Sequence, residues 1–424
     1  MFLEKEGKLI YSYDGETVCI EAWGKDALRV RATKNRSFTG RDWALEAKDA
    51  HAGEVEIFED PSAKGGAFAN MYEGTDTSYG KITNGKLHAV IDSGSVITFY
   101  HEDGRVLLKE HFRRLRDEES MPLNIMGREY SNGVGDNFRI VARFVARKGE
   151  KIFGMGQYQQ HELDLKGCML ELAQRNSQVS VPFYLSSIGY GFLWNNPGVG
   201  QVMFANNRTE WVTESGKEID YLVIAGDTPA EIEENYMTLT GKPPMMPEYG
   251  MGFWQCKLRY WNQEQLLSVA RKYKELGVPL DVIVVDFFHW TKQGEFKFDP
   301  KYWPDVPGMC RELKEMGIQV VVSVWPTVDI YSENFEEMKE KGYLVRTEHG
   351  VPLTMLCGGN EVFFDATNPD ARTYVWEKIK KNYYDQGAKL FWLDVAEPEY
   401  SVYDFKNYRY QLGSVQEVGN VYPK

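Results

Sequence analysis

Lys389-Leu-Phe-Trp-Leu-Asp-Val-Ala-Glu-Pro-Glu399 is an apolar run that stops at Asp394, with Glu397 and Glu399 just beyond it. A run of this length and composition fits a parallel strand buried on both faces, and such a strand delivers its last residue to the C-terminal edge of a sheet. In a (β/α) barrel that edge is where active sites are built. The competing reading is an acidic loop after an ordinary core strand, and the segments upstream decide between the two.

Working backwards from Asp394, strand-like and helix-like patterns alternate from residue 249 onward. Gly250-Met-Gly-Phe-Trp-Gln-Cys256 reads as a strand. Asn262 can cap a helix with apolar positions Leu266, Leu267, Val269, Ala270 and Tyr273, and Gly277 follows its end. Leu280–Asp286 is a second strand, a helix follows near Gly308–Met316, and Ile318–Trp325 is a third strand. Helices over about Asn334–Lys341 and Pro369–Asp385 lead to the strand before Asp394. Four β/α units in series, residues 249–424, predict the first half of a (β/α)8 TIM barrel. A half-barrel leaves a strand edge and apolar faces uncovered, so the expectation is a barrel cut short at Lys424.

Residues 1–240 read differently. Alternating segments such as Val18–Trp23 and Lys86–Ile91 are separated by turn signals at Asp14-Gly15, Asn84-Gly85, Ser93-Gly94, Asp103-Gly104 and Asn132-Gly133. This spacing predicts a β-sandwich. Arg113–Glu119 is a charge run expected in a solvated loop, and Phe153-Gly-Met-Gly156 is expected to be a tight turn rather than a phosphate loop, since no Lys and no helix pattern follow it. A helix near Pro229–Met237 precedes a Pro-rich linker, 241–248.

A net charge of −13 argues against nucleic acid or an anionic membrane as the main partner. The five cysteines, Cys19, Cys168, Cys256, Cys310 and Cys357, show no zinc-type spacing and read as reduced thiols. No metal or cofactor is implied. Acids near Met1 and the lack of any long apolar run make a cytoplasmic location the expectation. Abundant aromatics, 11 Trp and 25 Tyr, suit sugar faces as well as ordinary packing.

Asp286, the region of Trp325, and Asp394 fall at successive strand ends, the convergence a barrel site requires. Asp286 could instead cap the turn that follows it. His289 reads as a packing or hydrogen-bonding residue, because no second His lies at ligand spacing.

Three stretches carry a family resemblance: Trp392-Leu-Asp-Val-Ala-Glu397, Val285-Asp-Phe-Phe-His-Trp290 and Phe296-Lys-Phe-Asp-Pro-Lys-Tyr-Trp-Pro-Asp305. Together they resemble glycoside hydrolase family 31, the retaining α-glycosidases, over most of the chain from about Phe153. A β-sandwich ahead of a (β/α)8 barrel is also that family's architecture. The resemblance implies Asp394 as catalytic nucleophile and Glu397 as a positioning acid behind it. In retaining chemistry two carboxyl groups about 5–5.5 Å apart flank the glycosidic bond, one attacking and one protonating the leaving oxygen. The family's acid/base Asp belongs to a later motif that no residue after Asp394 matches, and Asp404 and Glu417 read as part of an exposed connecting segment. The expectation is therefore that the acid/base is not in this chain.

Family α-glucosidases often carry a second Asp where this chain has Phe288. A ring there favours a sugar without the exocyclic hydroxymethyl group, which would otherwise leave a hydroxyl unpaired. Phe288 and Trp392 thus resemble the α-xylosidase branch, with Asp286 binding sugar hydroxyls. Trp254, Trp290 and Trp325 are candidate walls of the sugar subsite, with plain barrel packing as the alternative for each. The expected partner is a terminal α-xyloside of an oligosaccharide, such as those derived from xyloglucan. An α-glucosidase, a transglycosidase, and a non-catalytic carbohydrate-binding protein stay open, as does a homo-oligomer.

Overall fold

The computed structural model describes residues 1–46, 49–59, 78–92, 94–111, 125–350, 355–356, 360–399 and 404–423. The Arg113–Glu119 charge run, Ser93 and Cys357 lie outside the described residues. The chain divides into two compact units, Met1–Ala173 with Ser177–Pro243, and Gln174–Asn176 with Pro244–Lys424.

Among the described residues the first unit is built from antiparallel sheets, of nine, five and five strands, where the turn spacing predicted the two of a sandwich. The strand Ile219–Ala225 shows how the layers hold together. All seven of its residues are buried. Ile219, Tyr221, Val223 and Ala225 face a core shared by the three sheets, while Leu222 and Ile224 face the helix Pro229–Thr240 through Ile232 and Leu239. The Tyr221 ring meets Phe99 and Phe144 edge-on, at 6.2 and 5.4 Å between centroids. On the neighbouring strand Arg29 is fully buried, its guanidinium bidentate to Asp220 at 2.9 and 2.6 Å. Phe153–Gly156 is not a tight turn: it lies within the strand Ile152–Gln157, where the register shifts between Gly154 and Gly156. The cause is close backbone approach, since a Cβ at Gly156 would stand 2.1 Å from the Val179 carbonyl oxygen.

Among the described residues the second unit contains a parallel sheet of four strands in sequence order. These are β1 (Trp254–Gln255), β2 (Val282–Val285), β3 (Gln319–Val324) and β4 (Leu390–Leu393). The helices α1 (Gln263–Glu275), α2 (Val306–Glu315), α3 (Phe335–Glu340) and α4 (Pro369–Ile379) alternate with them. This is the barrel-type arrangement that the strand–helix alternation predicts. Strand β1 is shorter than Gly250–Cys256, because a 3-10 turn occupies Glu248–Met251 before it. Asn262 caps α1 by accepting from the Gln265 N–H at 2.8 Å. After α4 the chain continues as a π-helical turn, Lys380–Tyr384, which turns the Tyr383 ring into the core. Glu417 does not lie in an exposed connection; it is half-buried on the short helix Val415–Val418, drawn inward by those two valines, while the Asp404 side chain lies outside the described residues. No helix among the described residues is long and apolar enough to cross a membrane.

Period-two alternation assigns the two faces of the parallel sheet. Ile283, Val285, Val320, Val322, Val324 and Phe391 pack with the helices. Val282, Val284 and Val321 cluster with Tyr249 and Leu390 on the other, concave face. Strand β4 is the sheet's edge, and its Leu393 is 68% exposed.

A buried carboxyl sits in the small antiparallel sheet of Thr327–Asp329, Met355–Leu356 and Asn360–Phe363. Glu361 is 3% exposed and pairs in register with Asp329. The Thr327 hydroxyl, itself accepting from Gln293 Nε2, donates to Glu361, but Oε2 has no partner among the described residues. Burial pushes this carboxyl up to about 7; Thr327 opposes the shift and Asp329 adds to it. A carboxyl raised in the folded state stabilises the fold below its unfolded value, and that contribution is lost as pH rises through about 7. Glu361→Gln is therefore expected to match wild type near pH 4 and to exceed it by about 2–3 kcal/mol at pH 8. Thermal midpoints of both proteins at the two pH values check this; a constant difference would contradict it.

Candidate active site at the strand ends

The concave-face parity of each strand predicts which side chain appears just past its end. On β2 the series is Val282, Val284, then Asp286; on β3 it is Val321, Ser323, then Trp325; on β4 it is Leu390, Trp392, then Asp394; on β1 it is Trp254, then Cys256. Four consecutive strands thus bring Cys256, Asp286, Trp325 and Asp394 to one edge. The sequence reading found three of these. It missed Cys256, although the same count along β1 leads to it.

Contacts within the row are direct. Trp325 Nε1 donates to Asp394 Oδ2 at 3.1 Å, and the Asp394 N–H donates to the Val324 carbonyl at 3.1 Å, so the β3–β4 ladder runs on to the carboxylate itself. The Cys256 thiol donates to Asp286 Oδ2 at 3.4 Å, and Oδ1 accepts from the Phe287 N–H at 2.8 Å. Asp286 thus closes on its own loop while one oxygen faces the row.

An aromatic cluster frames Trp325. Phe287, Phe288 and Trp290 lie 5.4, 6.1 and 5.9 Å from its ring centroid. Phe288 is 46% exposed and takes a positive φ of 58°. Below it His289 is buried, with Nδ1 3.0 Å from the Asp286 carbonyl oxygen and Nε2 2.9 Å from the Tyr383 hydroxyl. Burial drives its imidazole down to about 4. A neutral ring facing a carbonyl must donate from Nδ1 and accept from Tyr383 at Nε2, which leaves no nitrogen for a metal. Tyr383, delivered by the π-helical turn, is a support that sequence spacing could not reveal.

Trp254 and Trp392 are not in the strand-end row. They line the concave face of the sheet, around a hollow of about 320 Å³ with Tyr249, Val321 and Leu390. The Trp254 indole N–H donates to the Gly250 carbonyl at 3.2 Å. Trp290 and Trp325 stand at the strand ends with Asp286, Phe288 and Asp394. Glu397 follows Val395, whose φ is 61°. Its Oε2 is buried without a partner among the described residues, and burial, then Glu399, then Asp394 push its carboxyl upward. Among the described residues no group of three or more His, Cys, Asp or Glu is arranged to hold a metal ion.

Carboxylates and aromatic rings gathered at the C-terminal ends of parallel strands, in a chain that opens with an antiparallel β unit, define a protein of the (β/α)-barrel class. A model of the glycosyl hydrolases family 31 TIM-barrel domain matches residues 243–424, and one of the glycosyl hydrolase 31 N-terminal galactose mutarotase-like domain matches residues 17–202. The chain is 45% identical over 433 residues to the uncharacterized family 31 glucosidase ORF2 of Pseudescherichia vulneris, covering 100% of this chain and 78% of that protein. It is 30% identical over 443 residues to alpha-xylosidase A of Aspergillus niger, covering 96% of this chain and 58% of the relative. The crystal structure of a GH31 alpha-xylosidase from a soil metagenome, complexed with xylose, superposes with a TM-score of 0.92 at 50% identity, covering 100% of this chain and 61% of that one. The chain belongs to glycosyl hydrolase family 31. It spans less than two thirds of the latter two relatives.

Cys256 offers a chemical check on the row. Its thiol is pushed up to about 11, first by burial and then by the charge and hydrogen bond of Asp286. Alkylation by iodoacetamide at pH 8, followed by peptide mass mapping, is expected to be slow at Cys256. It should accelerate several-fold in Asp286→Asn, which removes the charge opposing the thiolate. Equal rates in both proteins would mean that the two groups do not interact.

Proposed function

We propose that the protein acts as a retaining exo-α-glycosidase on terminal α-xylosyl residues, with Asp394 as nucleophile. The observation that carries the reading is the Trp325 Nε1–Asp394 Oδ2 hydrogen bond of 3.1 Å at the edge of the parallel sheet. It aims one carboxylate oxygen and leaves the other for the anomeric carbon. In the first step that oxygen forms the bond to the anomeric carbon as the bond to the leaving oxygen breaks, and water later cleaves the glycosyl ester. The leaving oxygen takes its proton from a carboxyl group that we assign to no residue of this chain. Asp286 binds sugar hydroxyls, Glu397 positions Asp394, and Trp290, Trp325 and Phe288 wall the subsite, with Trp392 and Trp254 beneath. In this reading residues 1–240 form a scaffold domain, 241–248 a linker and 249–424 the catalytic barrel.

The case for xylose rests on Phe288. Its exposed ring stands among Phe287, Trp290 and Trp325, where a hydroxymethyl hydroxyl would lose water without gaining a partner. The relatives named alpha-xylosidase support this choice. The relative named a glucosidase favours a second reading, an α-glucosidase using the same nucleophile.

Incubation with 5-fluoro-α-D-xylopyranosyl fluoride, followed by intact mass and peptide mapping, tests the reading. One xylosyl group on the Asp394 peptide is the expected result; labelling by the glucosyl analogue alone would install the second reading. Asp394→Asn is expected to lower turnover at least about 10³-fold without loss of fold. Phe288→Asp is expected to raise the ratio of kcat/KM for α-glucosides over α-xylosides by roughly tenfold or more. An unchanged ratio would remove Phe288 from the specificity argument.

A further inference from the structure

Resting on the glycosidase reading, we infer that Arg259 and Trp261 form a second sugar-binding shelf, which holds the neutral sugar residue on the leaving-group side of the scissile bond. The loop after β1 carries the evidence. Arg259 adopts φ of 84°, a left-handed conformation that costs a non-glycine residue free energy. Its guanidinium lies 3.8 Å from the Trp261 ring centroid and 5.3 Å from that of Phe288, and its Nη1 donates to the Phe288 carbonyl at 3.4 Å. Among the described residues no carboxylate pairs with it. The two π faces meet its charge, while its remaining N–H groups are available to hydroxyl oxygens.

Local structure holds Trp261 outward. Tyr260 is buried in the core under α1, so the next side chain turns to the opposite side. The Trp261 N–H donates to Gln265 Oε1 at 2.7 Å while the Gln265 N–H donates to Asn262 Oδ1, a reciprocal pair that fixes the helix entry. The indole nevertheless remains 60% exposed. Phe288 joins the two regions: its ring centroid lies 6.0 and 6.1 Å from those of Trp290 and Trp325 and 5.3 Å from the Arg259 guanidinium. The surface therefore runs without a break from Trp325 beside Asp394, through Phe288, to Arg259 and Trp261. The sugar that reacts occupies the inner part, and the next residue of the same oligosaccharide reaches the outer part. A flat indole beside a fan of N–H donors suits a pyranose, with its apolar face and ring of hydroxyls.

The test uses two ligands that are not turned over, xylose and the sulfur-linked analogue of α-xylosyl-(1→6)-glucose, with calorimetry on the full chain. Trp261→Ala is expected to weaken the disaccharide roughly tenfold more than it weakens xylose. Trp261→Phe should restore most of the difference. Arg259→Gly, which relieves the backbone strain while removing the guanidinium, should show the same selective loss. Equal losses for both ligands, or a wild type that gains nothing from the second sugar, would overturn the shelf while labelling of Asp394 still upheld the glycosidase reading. A wild type that neither binds the sugars nor takes the label would overturn both.

Discussion

Alternation along parallel strands is the constraint on which the site depends. Each strand of the barrel unit turns every second side chain to the concave face, and the same parity continues one step past the last ladder bond. Valines and a leucine at Val282, Val284, Val321 and Leu390 fill that face, so the residues next in phase, Asp286, Trp325 and Asp394, have no freedom to face the helices. Slipping β4 by one residue would send Leu393 toward the concave face and Asp394 toward the helix layer. The packing of apolar side chains thus fixes the carboxylates, and the Trp325–Asp394 hydrogen bond sets the last angle.

The supports of the site come from elements with unrelated tasks. His289 is held neutral between the Asp286 carbonyl and Tyr383, and Tyr383 reaches it because a π turn continues α4. Phe298 packs on both rings, at 4.9 Å from His289 and 5.1 Å from Tyr383. The loop after β2 therefore rests on a buried aromatic base.

Legibility in the sequence followed the range of the interaction. The strand runs ending at Asp286, Trp325 and Asp394 and the Asn262 cap depend on neighbours a few residues apart, and the pattern carried them. The Gly154–Gly156 bulge was unreadable, because its cause is the carbonyl of Val179 on another strand. The boundary of β1 failed for a similar reason: Gly250–Cys256 has strand composition, but only two residues find a ladder partner. The separation of Trp254 and Trp392 from Trp290 and Trp325 was open to the same count that leads to Cys256, since Trp392 and Trp254 stand two residues before Asp394 and Cys256. Arg259 gave no signal at all, because an arginine with positive φ looks like any other arginine in a sequence.

Arg259, Phe288 and Val395 share that left-handed backbone, one in each loop that follows β1, β2 and β4. Glycine or asparagine would relax each of these positions at little steric cost. A search for thermostable variants would therefore be drawn to these loops, and at Arg259 and Phe288 the relaxed residue would erase the guanidinium or the ring. Under the proposed sugar-binding roles of Arg259 and Phe288, selection for robustness and selection for the ligand pull against each other at those two sites.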